Sequence, residues 1–447
     1  MATITGPGVG NTPSVATTPD KYTTVAELLE YNKPDNRDLL IKTYGDQGIT
    51  GFLQLTGAVK SGGTADHVQY WEEERRHKTV VCGANDGGTS GTVDLDAALT
   101  DIKAQDVVMN AASGEVFICT TDGDVFKRLD GSTSNTAWCA TDELIILGNM
   151  YDQGTDQPGH FIKTSPTLRT NPYMIIKDTY QVNGSQATNI GWVNVGNGDY
   201  RWYIHGEQET RARFMDRREM MMLFGEKQAD ATDMSAGRFP AGSEGYFAAV
   251  NDRGIVVSNG NANPLDSFAE FDNIILELDK QGAPSEYAMY VNRTQDLAID
   301  DMLAAGIATS VTAGLAGQFG SFNNDADMAV KLGFKSFTRG GYTFHKHDWK
   351  LLNDPTLAGA ATTPKFQGAV VPLSQVTDPR TGNRAPSLAM YYKAANGYSR
   401  EMEHWVTGGG IMGFTNGDAG TDQMVYHYRS EVALCVRAAN QHAVLKA

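Results

Sequence analysis

Residues 207–219 constrain this 447-residue chain more than any other stretch, because eight of the thirteen are charged. Glu207 and Arg211, and Glu209 and Arg213, stand four apart in the order that favours a helix, each pair contributing roughly 0.2–0.5 kcal/mol. The pattern predicts a long helix over residues 200–227. Immediately after the charges, residues 220–224 are apolar all round. A helix that turns from charged to wholly apolar starts exposed and ends buried, so it is expected to cross from one sub-domain to another.

Around this helix the chain reads mainly as strands and turns. Gly occurs 48 times, well above the ~7% of ordinary proteins, which argues against an all-α fold. Residues 80–148 read as a small all-β module, with β-prone runs at 107–109, 116–119, 125–126 and 144–147 and a hairpin signal at Asp122-Gly123. Residues 160–198 continue as a projecting β-loop, with strands at 173–176 and 180–182 and a turn at Asn183-Gly184. Pro166 and Pro172 keep the stretch before them out of a central sheet position.

A second helix is expected from Asn263 as N-cap and Pro264 at the first helical position, with Leu265, Phe268, Phe271, Ile275 and Leu278 on one face and Gly282 and Pro284 beyond its end. A strand over 287–291 and a helix from Thr294 to Gly306 complete a small α/β layer. Further on come a helix at 325–331, a hairpin at 334–347 turning at Gly340-Gly341, loop over 353–386, and strands at 388–392 and 424–436.

Residues 1–19 are uncharged and rich in Gly, Thr, Ser and Pro, so they are read as an extended arm that does not fold alone. Thr24 and Glu27 then form a capping box ahead of a short helix ended by Pro34. Residues 49–59 suggest a strand. Cys82, Cys119, Cys139 and Cys435 show no CxxC spacing and are read as reduced, buried thiols. The start of the sequence lacks a signal-peptide pattern and no apolar run reaches about 18 residues, so a soluble protein made in the cytoplasm is expected.

The formal net charge of −16 argues against tight sequence-independent binding of nucleic acid, which needs Lys and Arg on phosphates. An acidic wall could still enclose DNA without trapping it. Neither the Walker phosphate loop, H-E-x-x-H nor G-x-S-x-G occurs, and Gly242-Ser243-Glu244-Gly245 has the wrong spacing for the last. His345 and His347 alternate on one strand face beside Asp348, a geometry open to a metal with ligands from elsewhere. Lys346 between them disfavours a cation. The acidic loops 323–327 and 416–418 lack the length and terminal Glu of an EF-hand and read as a helix cap and a turn. No cofactor, metal or catalytic residue is expected, and the protein is read as a non-enzyme.

The order of parts, from flexible arm through β-rich projection, charged helix and α/β layer to β-rich end, resembles the HK97-like major capsid proteins of tailed bacteriophages. Tyr70-Trp71-Glu72-Glu73 after a turn, Tyr290-Val291-Asn292-Arg293 entering a helix, and residues 429–436 have the same local flavour. The resemblance implies an α+β fold of N-arm, extended β-loop, long spine helix, and axial and peripheral domains. The corresponding boundaries are 1–47 for the arm, 48–79 for a strand region of the peripheral domain, 80–148 for an inserted small β module, and 149–199 for the extended loop. They continue as 200–244 for the spine helix and peripheral domain, 245–335 for the axial domain, and 336–447 for peripheral and axial strands.

It further implies a virion protein, assembled in the host bacterial cytoplasm, that builds hexamers and pentamers of an icosahedral shell around double-stranded DNA without sequence-specific contacts. Portal and scaffolding or decoration proteins would be its partners, with no membrane. Candidate inter-subunit contacts are Glu72, Glu73, Glu74, Arg75 and Arg76, and on the helix Glu207, Glu209, Arg211, Arg213, Arg217 and Arg218. Two alternatives stay open: a β-rich carbohydrate-binding or carbohydrate-degrading protein, and another virion component such as a tail protein.

Overall fold

The computed structural model describes residues 59–73, 77, 79–82, 91–95, 98–134, 138, 141–158, 166–188, 202–227, 242–260, 263–310, 336–354, 365–377, 382, 384–408 and 422–447. The expected arm with its capping box, strand residues 49–58, Glu74-Arg75-Arg76, Cys139, the helix at 325–331 and both acidic loops lie outside them. The chain divides into two compact units, Met1–Val68 with Asn171–Ala447, and Gln69–Thr170.

After β1 (Val59–Ser61) the chain leaves the larger unit along β2 (His67–Glu72). The smaller unit holds β3 (Thr79–Val81), β4 (Thr92–Asp94), β5 (Asp106–Asn110), β6 (Val116–Thr121), β7 (Val125–Arg128) and β8 (Glu143–Asn149). They form one antiparallel sheet in the order β3-β8-β5-β6-β7-β4. The β6–β7 hairpin turns at Gly123, whose φ is +64° and where a Cβ would lie 2.0 Å from the Leu99 carbonyl oxygen, so only glycine fits. One face carries the core of Phe117, Phe126, Leu144 and Trp138, with the Phe117 and Trp138 rings edge to face at 4.8 Å. Among the described residues the return strand β9 (Thr167–Pro172) pairs only with β2, in keeping with Pro166 before it and Pro172 at its end.

In the larger unit β10 (Met174–Asn183) is one ten-residue strand where two were expected. Its polar middle keeps period-two alternation, so the strand does not break there. Asn183 is no hairpin turn: its side chain accepts from the Gln186 N–H at 2.8 Å and caps the short helix α1 (Gly184–Ala187). Next come α2 (Trp202–Phe224), α3 (Tyr246–Arg253), β11 (Ile255–Val257) and α4 (Phe268–Lys280).

The start of α4 corrects the expected cap at Asn263 and Pro264. Glu270 reaches back to accept from the Asp266 and Ser267 N–H groups at 2.7 and 3.2 Å, which fixes Ser267 as the cap and leaves Leu265 to the core. Then follow β12 (Glu286–Val291), α5 (Arg293–Ser310), and the hairpin β13 (Ser336–Arg339) to β14 (Tyr342–Asp348).

Residues 353–386 are not all loop. They contain β15 (Phe366–Pro372) and a small ribbon of β16 (Gln375–Thr377) with β17 (Arg384–Pro386). β15 lies inside the sheet, and its Gly368 made it look like loop. That glycine is there because a Cβ would stand 2.4 Å from the Tyr290 carbonyl oxygen of the neighbouring strand. The chain closes with β18 (Leu388–Tyr392), the ribbon β19 (Ala394–Ala395) and β20 (Tyr398–Ser399), β21 (Glu403–Gly408), β22 (Gln423–Val436) and β23 (Ala443–Lys446).

Two sheets organise this unit. One runs β11-β23-β15-β12-β14-β13 and is buried on both faces: Tyr287, Met289 and Leu445 pack with α4 and α5, while Ala288, Tyr290 and Val444 share a second core with α3 and the end of α2. The other runs β1-β18-β22-β10, with β21 also on β22. The three described cysteines, Cys82, Cys119 and Cys435, are free and buried. Among the described residues no helix is long and apolar enough to cross a membrane.

His442 is fully buried, its Nδ1 3.3 Å from the Tyr246 hydroxyl, and burial holds its pKa down at about 3. Its folded pKa lies below the ordinary ~6.5, so the unfolded chain binds the proton more readily. Stability from this group is complete above about pH 6.5 and falls by about 1.4 kcal/mol per pH unit on acidification toward pH 3. Urea denaturation from pH 7 to pH 4 is expected to show this slope in the wild type and to lose it in His442→Gln.

Candidate functional site

The charged helix α2 lies along β10 and β22, and the contacts between them show which of its charges are committed within the chain. Asp178 on β10 points toward α2, where Arg213 and Arg217, one turn apart, bring guanidinium nitrogens to 3.5 and 3.1 Å from its carboxylate. Asp178 is largely buried while both arginines are more than half exposed. Such a pair contributes at most about 1 kcal/mol. Asp178→Ala is expected to lower stability by about that amount in low salt and by less at 0.5 M salt, as read from the urea midpoint.

Below that cluster Phe214 is buried with its ring 5.8 Å from Tyr428. The Tyr428 hydroxyl donates to Glu207, and burial followed by that carboxylate pushes the phenol pKa up. Arg218 turns inward and donates to the Glu401 carbonyl oxygen at 3.2 Å. Phe214 belongs to the core under β10 and β22, whereas Met222 and Leu223 belong to the core beneath the six-stranded sheet. The helix thus passes from one core to another, and Glu209, Arg211, Arg213 and Arg217 stay exposed along it. In the smaller unit Glu72 pairs with Arg169 at 3.3 Å and Glu73 is exposed.

Sequence reasoning missed the opposite face of the β22 sheet. Glu431, nearly buried, lies 2.9 Å from Arg400 and 3.6 Å from Lys393, and Lys393 also reaches Asp66 at 2.5 Å. Arg429 pairs with Glu403 and places its guanidinium 5.0 Å over the Trp405 ring, which stacks on His427 at 5.0 Å. The alternation Arg429-Ser430-Glu431 marks the two charges as sharing a face, but their partners come from distant segments and leave no local signal. Trp405 is engaged by His427 and Arg429, which does not favour it as an open platform for a sugar ring.

His345 and His347 share a face of β14 as expected. His347 stacks on Tyr290 at 5.3 Å, and burial, then His345, holds its pKa down. Lys346 points the other way and is buried between Asp296, at 2.8 Å, and Asp300. Among the described residues no group of three or more His, Cys, Asp or Glu could hold a metal. The Ser243 hydroxyl donates to the Asn171 side-chain oxygen at 3.2 Å, and Glu244 makes a two-pronged pair with Arg253 at 2.8 and 2.9 Å.

No protein-family model matches the sequence, and no curated protein matches it. Among solved structures the chain is similar to one from Microbacterium phage Oxtober96, at 11% identity and a TM-score of 0.43 over 95% of this chain and 99% of that one. It is similar to one from Mycobacterium phage Adephagia, at 9% identity and a TM-score of 0.42 over 95% and 97%. The capsid structure of Cyanophage P-SCSP1u shows 10% identity and a TM-score of 0.37 over 92% and 93%.

Proposed function

We propose that this chain is the shell-forming major capsid protein of a tailed bacteriophage, with the HK97-like architecture that its order of parts resembles. The observation that carries the reading is the 23-residue helix α2, which ties the core under β10 and β22 to the core beneath the six-stranded sheet while keeping a ridge of charges exposed. Exposed charge of both signs along one rigid element suits contacts repeated between copies, which gain specificity more than affinity from it.

On this reading copies assemble into hexamers and pentamers of an icosahedral head around double-stranded DNA, in the host cytoplasm, with portal and scaffolding or decoration proteins as partners. The exposed residues Glu73, Glu209, Arg211, Arg213 and Arg217 are then the candidates for inter-subunit contacts, with Glu74, Arg75 and Arg76 beside them in sequence. Glu72, Glu207 and Arg218, half-buried and engaged within the chain, stand behind these exposed residues.

Electron microscopy and light scattering of the purified protein test the proposal. Closed shells, or hexamers and pentamers that convert to them, support it. A monomer or trimer that never assembles, even with the other phage proteins supplied, refutes it and brings the carbohydrate-active alternative forward. Deleting residues 1–45 is expected to leave a soluble chain whose shells are unstable; normal particles from that truncation would remove the arm from the assembly scheme.

A further inference from the structure

The sheet of the smaller unit carries apolar residues on both faces. An antiparallel sheet that packs a core on one face ordinarily shows polar residues on the other. Here the face away from Phe117, Phe126 and Leu144 carries a row set by the strand register, Ile145 on β8, Met109 on β5 and Val116 on β6, flanked by Ile118, Val81 and Leu147. Val81 is 56% exposed and Leu147 54%.

The charges on this face sit at opposite corners. Glu143 lies two residues beyond Ile145 on β8, and Lys127 lies opposite Ile118 on β7, three strands away. Both are exposed, and neither side chain takes a partner among the described residues. Asp94 lies beyond Lys127 on the edge strand.

We infer that this face docks against the same face of a second copy of the chain across a two-fold axis. The self-complementary charges argue for a second copy as the occupant. Three strand spacings separate Glu143 from Lys127 across the sheet, roughly 14 Å, and four residues separate them along it, roughly 14 Å. The two-fold that exchanges those corners therefore runs at about 45° to the strands, so the strands of the two copies cross near 90°, one of the two ordinary ways sheets pack face to face. That axis passes between β5 and β6 at the level of Met109 and Val116, the middle of the apolar row. Each Glu143 then meets the partner copy's Lys127, twice per contact, and the apolar row is buried between them.

The inference deepens the shell reading by naming a contact between copies, and its test separates the two. Full-length wild type, Glu143→Lys, Lys127→Glu and the double reversal are compared by sedimentation of unassembled protein and by electron microscopy of assembled particles. Each single reversal sets like charges together at both corners and is expected to weaken association of copies by at least about tenfold. The double reversal is expected to restore it.

Single reversals without effect in particles that still form overturn the inference and leave the shell reading standing. Loss in both singles without rescue in the double overturns the two-fold geometry and points to a different occupant, such as a decoration protein. Dimers sensitive to the reversals in a protein that never closes a shell support the inference and refute the shell reading. Both substituted side chains are surface groups, so circular dichroism is expected to match wild type throughout.

Discussion

Replacing Lys346 with Met is expected to destabilise the larger unit by about 3–5 kcal/mol, the cost of leaving buried charge without its partner. The Lys346 side chain is 5% exposed and sits on β14 facing α5, where Asp296 and Asp300 hold its ammonium. Asp296 is also engaged by Arg293 at 2.9 Å, and Arg293 in turn reaches Asp348 at the end of β14. Met fills much the same volume, so lost packing contributes little. Two carboxylates would face each other across an apolar gap, with Arg293 compensating only one. Chemical denaturation of the unassembled chain measures the loss. Lys346→Arg is expected to cost much less, and adding Asp300→Asn to Lys346→Met is expected to recover part of it. A loss below about 1 kcal/mol in Lys346→Met would show that water reaches the pair and that the network is peripheral.

The second large effect is at Phe247, where Ala is expected to cost about 3–5 kcal/mol. Phe247 is 1% exposed on α3. Its ring stacks on Phe366 at 4.5 Å, on Phe224 at 5.0 Å and on Trp349 at 5.9 Å, so it joins α2, β15 and the segment after β14. Three neighbouring rings anchored on different elements do not all collapse into the space, and the cavity term stays large. Phe247→Leu keeps most of the volume and is expected to lose less. Trp349 fluorescence reports the repacking in the same experiment, and an unchanged spectrum with a loss under about 1 kcal/mol would mean that the site closes up.

Local pattern was a good guide where one face of an element sees water. The β13–β14 hairpin turning at Gly340-Gly341 and the existence of α2 follow from alternation or from i,i+4 charges, whereas the strand over 424–436, buried along most of its length, follows from its long β-prone run. It failed for β15, whose Gly and Pro content is that of a loop and whose place in the sheet depends on Tyr290 from another segment. It misplaced the start of α4 because Asn263-Pro264 is a good cap by itself, and the backward reach of Glu270 to Ser267 decides the matter.

For the candidate site, helix charges were legible but not their partners. Asp178 and Tyr428 come from strands far along the chain, and nothing near Arg213, Arg217 or Glu207 announces them. The double-sided apolar sheet of the smaller unit was hidden for another reason: short strands with a bulge in β8 blur alternation, and the outer row emerges only once the register is known.

The position of β23 has a consequence for the order in which this protein is made. β23 pairs with β11 on one side and β15 on the other, so the six-stranded sheet has a gap until Ala443–Lys446 have been synthesised. At ordinary translation rates, roughly 10–40 seconds separate Val257 from Ala443. During that time β11 has no strand partner among the described residues, and the α4 face of the sheet lacks Ala443 and Leu445 from its core. The strands of the smaller unit all lie within Gln69–Thr170 and can close much earlier. A nascent chain would thus carry one finished unit and one waiting for its seam, and the sheet between α4 and α3 would become complete only once Ala443–Lys446 have been made.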